Sequence, residues 1–409
     1  MGGMPWTGKS ARTEPGEASA RSARRLVGVD AARGLAIIGL MAIHLLPDGS
    51  EEAGEPSWAW ILFSGKSAAL FALLAGVGLA LASGGRRRHE GRAMTADRVG
   101  LVVRAVLIAA VGLCIGTVMP EDAPTDNILI YYGAFFLLAV PFLHLGPKAL
   151  FASAAGFGIL APILALRLGE VLPDFVSQNP TFSDLVTEPG AVTAQLMLTG
   201  TYPALAYLTY VFVGLGIGRL DLGRTGVQIR ILVVGAGLAI CAQTASYLLL
   251  YAFGGFERLL NASSLSERDL REALIWGPDE MSDPTGWWLV ITTPHTNTPL
   301  AIATSLGVGL IIVGVFLLVG SKAGPWLLPL SAMGTMTLTL YTAHLVGLSR
   351  ELHYDQPYLW FTINVVAAVL FAVAWQRALR QGPLERVVAA AVKGTRRLVV
   401  GGSGGTMRK

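Results

Sequence analysis

The sequence predicts an all-α polytopic membrane protein, a bundle of about ten transmembrane helices with both termini cytoplasmic. Of its 409 residues, 53% are hydrophobic and only 14% charged, and the mean hydropathy is +0.56. Apolar runs long enough to cross roughly 30 Å of hydrocarbon recur along nearly the whole chain. Basic and acidic connections alternate between those runs, the asymmetry that sets orientation. Each run is expected to be helical, because backbone groups in lipid must pair internally and the period-two pattern of a barrel strand is missing.

Residues 1–25 carry Lys9, Arg12, Arg21, Arg24 and Arg25 among few large apolar side chains and read as a disordered basic tail. One transmembrane domain is expected over 26–392, with spans at about 26–47, 58–83, 99–118, 127–145, 147–168, 201–220, 227–253, 298–320, 326–346 and 357–379. Residues 393–409 read as a basic, flexible tail. The connection with Arg86, Arg87, Arg88, Arg92 and Arg98 is assigned inside. The acidic loops are assigned outside: Asp48 to Glu55, Glu121 to Asp126, and the long segments 169–200 and 254–297, which read as folded caps. A signal peptide is disfavoured by Asp30 and Arg33 inside the first apolar segment and by the absence of a clear small-residue cleavage site. Cys114 and Cys241 both fall in apolar spans and suggest neither a disulfide framework nor metal spacing. A net charge of +4 and a pI near 9.1 imply a cationic inner face meeting membrane lipid or an anionic cytosolic ligand, and nothing points to nucleic acid.

Ionisable residues inside spans are costly and mark function by default. In "VDAARGLAIIGLMAIHLLP", residues 29–47, Arg33 and His44 are spaced R-x10-H. On a helix they fall within ~20° of one face, about 16 Å apart along the axis. Asp30 can pair with Arg33, the bland alternative being an ion pair that snorkels at the interface. Lys66 lies in the outer half of the second span among Ser64, Gly65 and Ser67, either lining a polar pocket or reaching outer headgroups. Tyr341 and His344 lie near the outer end of the ninth span and His295 in the loop "PHTNTP", so His44, His295 and His344 share one level. No closely spaced ligand pair such as H-x3-H accompanies them, and no metal is predicted. Acid, base and hydrogen-bonding groups at an outward-facing active site are the better reading.

The hydrophobic-D-x-x-R-G turn followed by R-x10-H resembles the first span of the transmembrane acyltransferase superfamily, especially its bacterial heparan-α-glucosaminide N-acetyltransferase-like members. Further similar segments follow in order: "SGKSAALFALLAGVGLAL" at 64–81, "ILIYYGAFFLLAVPFL" at 128–143, "TGTYPALAYLTYVFVGLGIGRLDL" at 199–222, the "PHTNTP" loop and "GPLERV" at 382–387. The resemblance implies transfer of an acyl group, typically acetyl, from cytosolic acyl-CoA to a hydroxyl or amine of a glycan or glycolipid across the membrane. A pantetheine arm is about as long as the Arg33-to-His44 rise. Asp30 and Arg33 would then stand at the donor entrance, with phosphate contacts from some of Arg86, Arg87, Arg88, Arg98 and Arg104. His44 would act as general base or accept the acyl group, Lys66 and Tyr341 would stabilise the oxyanion, and His344 and His295 would orient acceptor or base. The animal lysosomal relatives differ in placing their key histidine after the first span.

The rival expectation is a proton-coupled secondary transporter using His44, Lys66 and His344, which the lack of an internal repeat weakens. A scaffold without chemistry is the third. The Ala, Gly, Val and Arg bias suggests a bacterial plasma membrane, and a homo-oligomer is compatible with all three readings.

Overall fold

A computed structural model describes residues 15–50, 54–120, 125–278, 285–320, 322–351 and 355–401, with side chains from 27 onward. The chain folds as seventeen α-helices among the described residues, with one two-residue hairpin pairing Gly49–Ser50 to Glu55–Pro56. The helices are α1 (Pro15–Leu45), α2 (Trp58–Phe63), α3 (Lys66–Ala82), α4 (Gly91–Gly116), α5 (Ile128–Ala139), α6 (Pro147–Leu168), α7 (Phe182–Thr187), α8 (Pro189–Ala194) and α9 (Ala204–Gly218). They continue with α10 (Thr225–Tyr247), α11 (Gly255–Ala262), α12 (Glu267–Trp276), α13 (Pro299–Gly320), α14 (Leu328–Gly334), α15 (Thr337–Leu348), α16 (Pro357–Leu379) and α17 (Pro383–Gly401).

Seven helical stretches among the described residues are long and apolar enough to cross a membrane, not ten. Three of the expected runs depart from a simple span. The fourth is a shorter apolar helix, Ile128–His144, which tightens into a 3-10 turn at Val140. The sixth is the second arm of a pair, Pro189–Thr199 and Ala204–Gly218, bent by 49°; counted as one span it raises the total to eight. The ninth breaks into α14 and α15 at Thr335 and Met336. The second span also breaks: Gly65, with φ of 67°, takes the left-handed conformation that separates α2 from α3.

Backbone-to-backbone packing holds the centre. A Cβ on Gly34 would lie 2.1 Å from the Leu330 carbonyl oxygen, and one on Gly334 would lie 1.7 Å from that of Asp30, so α1 and α14 meet through reciprocal glycines. Gly76 and Gly214 do the same for α3 and α9, at 2.0 Å from Val211 O and 1.9 Å from Leu73 O. Small residues are what membrane helices use to approach closely, since water-driven burial is absent there. Arg219, buried at the end of α9, donates to the carbonyl oxygens of Ala80, Ser83, Gly85 and Leu143 and to Ser83 Oγ, at 2.8–3.2 Å. It ties α9 to the end of α3 and to the turn after α5.

The long loop before α13 forms the expected cap: α11, α12 and the turn Gly286–Val290 enclose a small core of Phe256, Leu259, Leu270, Trp288 and Ile291. Both ends carry more helix than their reading as tails over 1–25 and 393–409 allows, since α1 starts at Pro15 and α17 continues to Gly401. The physical reason at the second end is amphipathic packing: Val392 and Arg396 lie over Gly100 of α4, and Arg396 pairs with Asp97 at 2.7 Å. Residues 1–14 and 402–409 lie outside the described residues, as do the tail cations Lys9 and Arg12.

Candidate active site

The last turn of α1 carries His44 into the bundle, where it is 7% exposed, against His344 of α15, 4% exposed. The two rings meet edge to edge, with centroids 5.3 Å apart and planes 10° from parallel. His44 Nδ1 lies 3.1 Å from His344 Nε2, and the other nitrogen of each ring continues the line. His44 Nε2 is 2.8 Å from Thr125 Oγ1, and His344 Nδ1 is 3.3 Å from Asn364 Oδ1. Thr125 comes from the loop ahead of α5 and Asn364 from α16, so four separate segments build one hydrogen-bonded row. Tyr341, three residues before His344 on α15, sets its ring 6.4 Å from that of His44, and its hydroxyl accepts from Ile128 N at 3.5 Å.

Tyr341 also lines a cavity of about 270 Å³, together with Arg33, Arg104 and Glu385. Arg33 is held there by Asp30 at 2.9 Å and by the Leu74 carbonyl at 3.1 Å. Its guanidinium lies over Gly78, where a Cβ would come within 2.7 Å. Arg104 reaches the same cavity from α4, and no hydrogen bond or ion pair to it is found among the described residues. Two guanidinium groups, one of them uncommitted, make this part of the cavity suited to an anion. Tyr132 lines the same cavity, and its buried hydroxyl has no partner among the described residues. Glu385 accepts from Thr339 Oγ1 at 2.6 Å and Thr339 N at 3.1 Å, fixing α17 to α15. A cavity thus leads from a cationic end to a hydroxyl beside a buried histidine pair.

Residues 25–249, more than half of the chain, match the family model described as heparan-alpha-glucosaminide N-acetyltransferase, catalytic. The chain belongs to this family. No curated protein matches it. Membership in the heparan-alpha-glucosaminide N-acetyltransferase family makes it a transmembrane acetyltransferase in general terms, in agreement with its apolar helices. The matched segment contains Arg33, His44, Arg104, Thr125 and Tyr132, whereas His344, Tyr341, Asn364 and Glu385 lie beyond it. Within this family member, the row and the cavity are each closed by both halves of the chain.

The other expected site residues divide. His295 does not join the histidine pair; its ring stands edge-on to Tyr202 at 5.9 Å, in a loop where His295 itself has φ of 62°. Burial, reinforced by the nearby Lys66 ammonium, pushes its imidazole down to about 4, so the ring is neutral. Lys66 donates to the Ile61 carbonyl at 2.7 Å and belongs with His295, whose backbone nitrogen lies against Gly65. His295 lines a second cavity, of about 680 Å³, together with Glu170, Asp174, Thr199, Trp276 and Asn297. Three buried polar atoms around it, His295 Nδ1, Thr199 Oγ1 and Trp276 Nε1, have no partner among the described residues.

The arginines of the α3–α4 connection lie elsewhere. Arg86 pairs with Asp221 at 2.8 Å, Arg87 is exposed, Arg88 donates to the His144 carbonyl, and Arg98 lies 3.1 Å from His144 Nδ1, which itself donates to the Pro141 carbonyl at 2.7 Å. None of the four lines the first cavity. Thr125, Asn364, Tyr132, Glu385 and Asp126 are the groups that sequence reasoning passed over as site residues. Asp126 adjoins Thr125, accepts from Thr201 Oγ1 at 2.7 Å, and keeps Oδ1 buried without a partner among the described residues; burial raises its carboxyl above the usual range. A signal existed for some of them: "PTDN" is a polar cluster at the mouth of an apolar run, and Asn364 is an amide with apolar neighbours on both sides within one.

Proposed function

We propose that the protein transfers an acyl group, acetyl in keeping with its family, from cytosolic acyl-CoA to a hydroxyl or amine of an extracytoplasmic glycan or glycolipid. The observation that carries this reading is the cavity that runs from Arg33 and Arg104 to Tyr341 beside His44. On this reading both termini face the cytoplasm of a bacterium, the protein lies in the plasma membrane, and the Arg33 end of the cavity faces inward. A volume of about 270 Å³ suits a thioester arm and not a whole nucleotide, so the phosphates of CoA would meet Arg104 and Arg33 near the mouth. Arg86, Arg87, Arg88 and Arg98 are left with attraction at longer range.

The chemistry then follows from the row. The acceptor replaces the Thr125 hydroxyl at Nε2 of His44 and gives its proton to that nitrogen as it attacks the thioester carbonyl. The hydroxyls of Tyr341 and Tyr132 stabilise the oxyanion; Tyr341 accepts from Ile128 N and so keeps its own proton to donate. When the carbon–sulfur bond breaks, the thiolate takes the proton from His44 Nε2, and the histidine returns to its starting state. The second cavity supports an acceptor with hydroxyl groups, since it offers an amide and three polar atoms without a partner among the described residues, one of them the Trp276 indole nitrogen.

The test is transfer from radiolabelled acetyl-CoA by protein in lipid nanodiscs to an envelope-glycan extract. His44→Ala is expected to lower transfer by at least ~10²-fold. Unchanged transfer in that variant would remove His44 from the mechanism, and failure of the wild-type protein to bind CoA or alter its hydrolysis would favour a transporter.

A further inference from the structure

We propose that Asn364 is a positioning residue that sets the tautomer of the His344–His44 pair and thereby makes Nε2 of His44 the basic nitrogen. The inference rests on the reading of His44 as base, but its geometric part stands without substrate. The orientation of the Asn364 amide is fixed first. Its Nδ2 donates to the Trp360 carbonyl at 2.9 Å, one turn earlier on α16, so Oδ1 is the atom turned toward His344. An amide oxygen only accepts, so His344 Nδ1 must carry a proton.

The remaining assignments follow one from another. A neutral imidazole protonated on Nδ1 has a lone pair on Nε2, so His344 accepts at the 3.1 Å contact and His44 Nδ1 donates. His44 Nε2 is then left with its lone pair and accepts from Thr125 Oγ1 at 2.8 Å. Thr125 does not make this choice, because a hydroxyl rotates to donate or accept as its neighbour requires. His344 passes it on. Among the described groups of the row, the amide, locked by a helix carbonyl, is the one with a fixed polarity. An imidazole in water prefers its proton on Nε2, which here would present the acceptor substrate with a donor instead of a base. Asn364 therefore reverses the intrinsic preference of the His44 ring from two hydrogen bonds away along the row.

The transfer itself stays balanced. The acceptor's proton goes to His44 Nε2 while the bond from acceptor to carbonyl carbon forms, and the same proton leaves with the CoA thiolate when the carbon–sulfur bond breaks. During the interval the added charge is shared through the Nδ1 proton with His344, whose own Nδ1 proton stays on that nitrogen and is donated to the Asn364 oxygen. A neutral amide gives orientation without a permanent negative charge beside the pair.

The experiment is 15N spectroscopy of protein labelled at its six histidines, at pH 8 and without substrate, with the His44 and His344 signals assigned by single substitution. Both rings are expected to be protonated at Nδ1 and bare at Nε2. Asn364→Leu should move protons onto Nε2 of one or both rings and lower kcat by ~10²-fold with KM for acyl-CoA unchanged. Asn364→Asp, which keeps an acceptor oxygen at that place, should retain the Nδ1 protons and most of the rate. A wild-type His44 protonated on Nε2 overturns the inference, and that spectrum needs no variant to fold; so does an Asn364→Leu protein with wild-type tautomers. Tautomers that shift on Asn364→Leu while His44→Ala keeps full turnover would sink the base reading and leave the positioning role of Asn364 in place.

Discussion

Gly334 is where a single methyl group should do the most damage to the site. Its Cβ would fall 1.7 Å from the Asp30 carbonyl oxygen and 3.0 Å from the Asp30 Cα, backbone atoms that cannot rotate out of the way. Real Cβ contacts stay beyond 3.0 Å, so Gly334→Ala requires α14 to retreat from α1 by at least the difference, 3.0 − 1.7 = 1.3 Å. Gly334 also lines the first cavity, and α14 leads directly into α15 with Tyr341 and His344. Overpacking of this kind costs about 1–3 kcal/mol, and a misplacement of ~1 Å at reacting groups can cost ~10²-fold in rate. Gly334→Ala should therefore lower the Tm of the solubilised protein by several degrees and reduce kcat for acyl transfer more than tenfold. Gly347→Ala, later in the same pair of helices, meets nothing within 4 Å and should leave the rate unchanged and raise stability by up to about 1 kcal/mol. Equal behaviour of the two variants in a paired melting and transfer assay would refute the reasoning from the α1–α14 contact.

Three further outcomes are expected. Arg104→Met should raise KM for acyl-CoA by roughly 10-fold or more, the weight of one charge-assisted hydrogen bond, while Arg87→Gln should leave it within twofold in steady-state kinetics. His295, neutral down to about 4, is not the group behind any acid limb of the rate profile between pH 5 and 7, so His295→Asn should not move that limb. Because its folded value lies below the unfolded 6.5, the unfolded chain binds the proton more readily; stability falls as pH drops from 6.5 toward 4, and His295→Asn should flatten that fall in melting curves. Arg219→Met removes five hydrogen bonds at once and should abolish a cooperative melt or lower Tm by more than any cavity substitution, as measured on the detergent-solubilised protein.

Spacing along one helix was readable and spacing between helices was not. R-x10-H put Arg33 and His44 on one face of α1, and the cavity follows that face. The shared level of His44, His295 and His344 is only one coordinate; the azimuth that separates His295 from the pair depends on the 294–298 loop and has no periodic signature. Counting cations found Arg86, Arg87 and Arg88 but not that Asp221 and His144 occupy two of them. Thr125 and Asn364 escaped because a neutral polar side chain inserts at small cost and raises no alarm. Hydropathy likewise misses a break made of small or apolar residues, such as Gly334 to Met336. In α17 the pattern Leu384, Val388, Ala391, Val392 and Thr395 has helical period, hidden by the arginines between.

One rigid rod, α1, carries both Arg33, the cation proposed to meet the donor, and His44, the base proposed to meet its reactive end. The distance between them is then a ruler set by residue number and by no loop, so it cannot adapt to a longer or shorter donor. A one-residue insertion between Arg33 and His44 would turn the histidine by about 100° and advance it by about 1.5 Å, taking it off the row while leaving the span apolar and intact. Tolerance of donors is thereby confined to their acyl ends, beyond the last mark on the gauge.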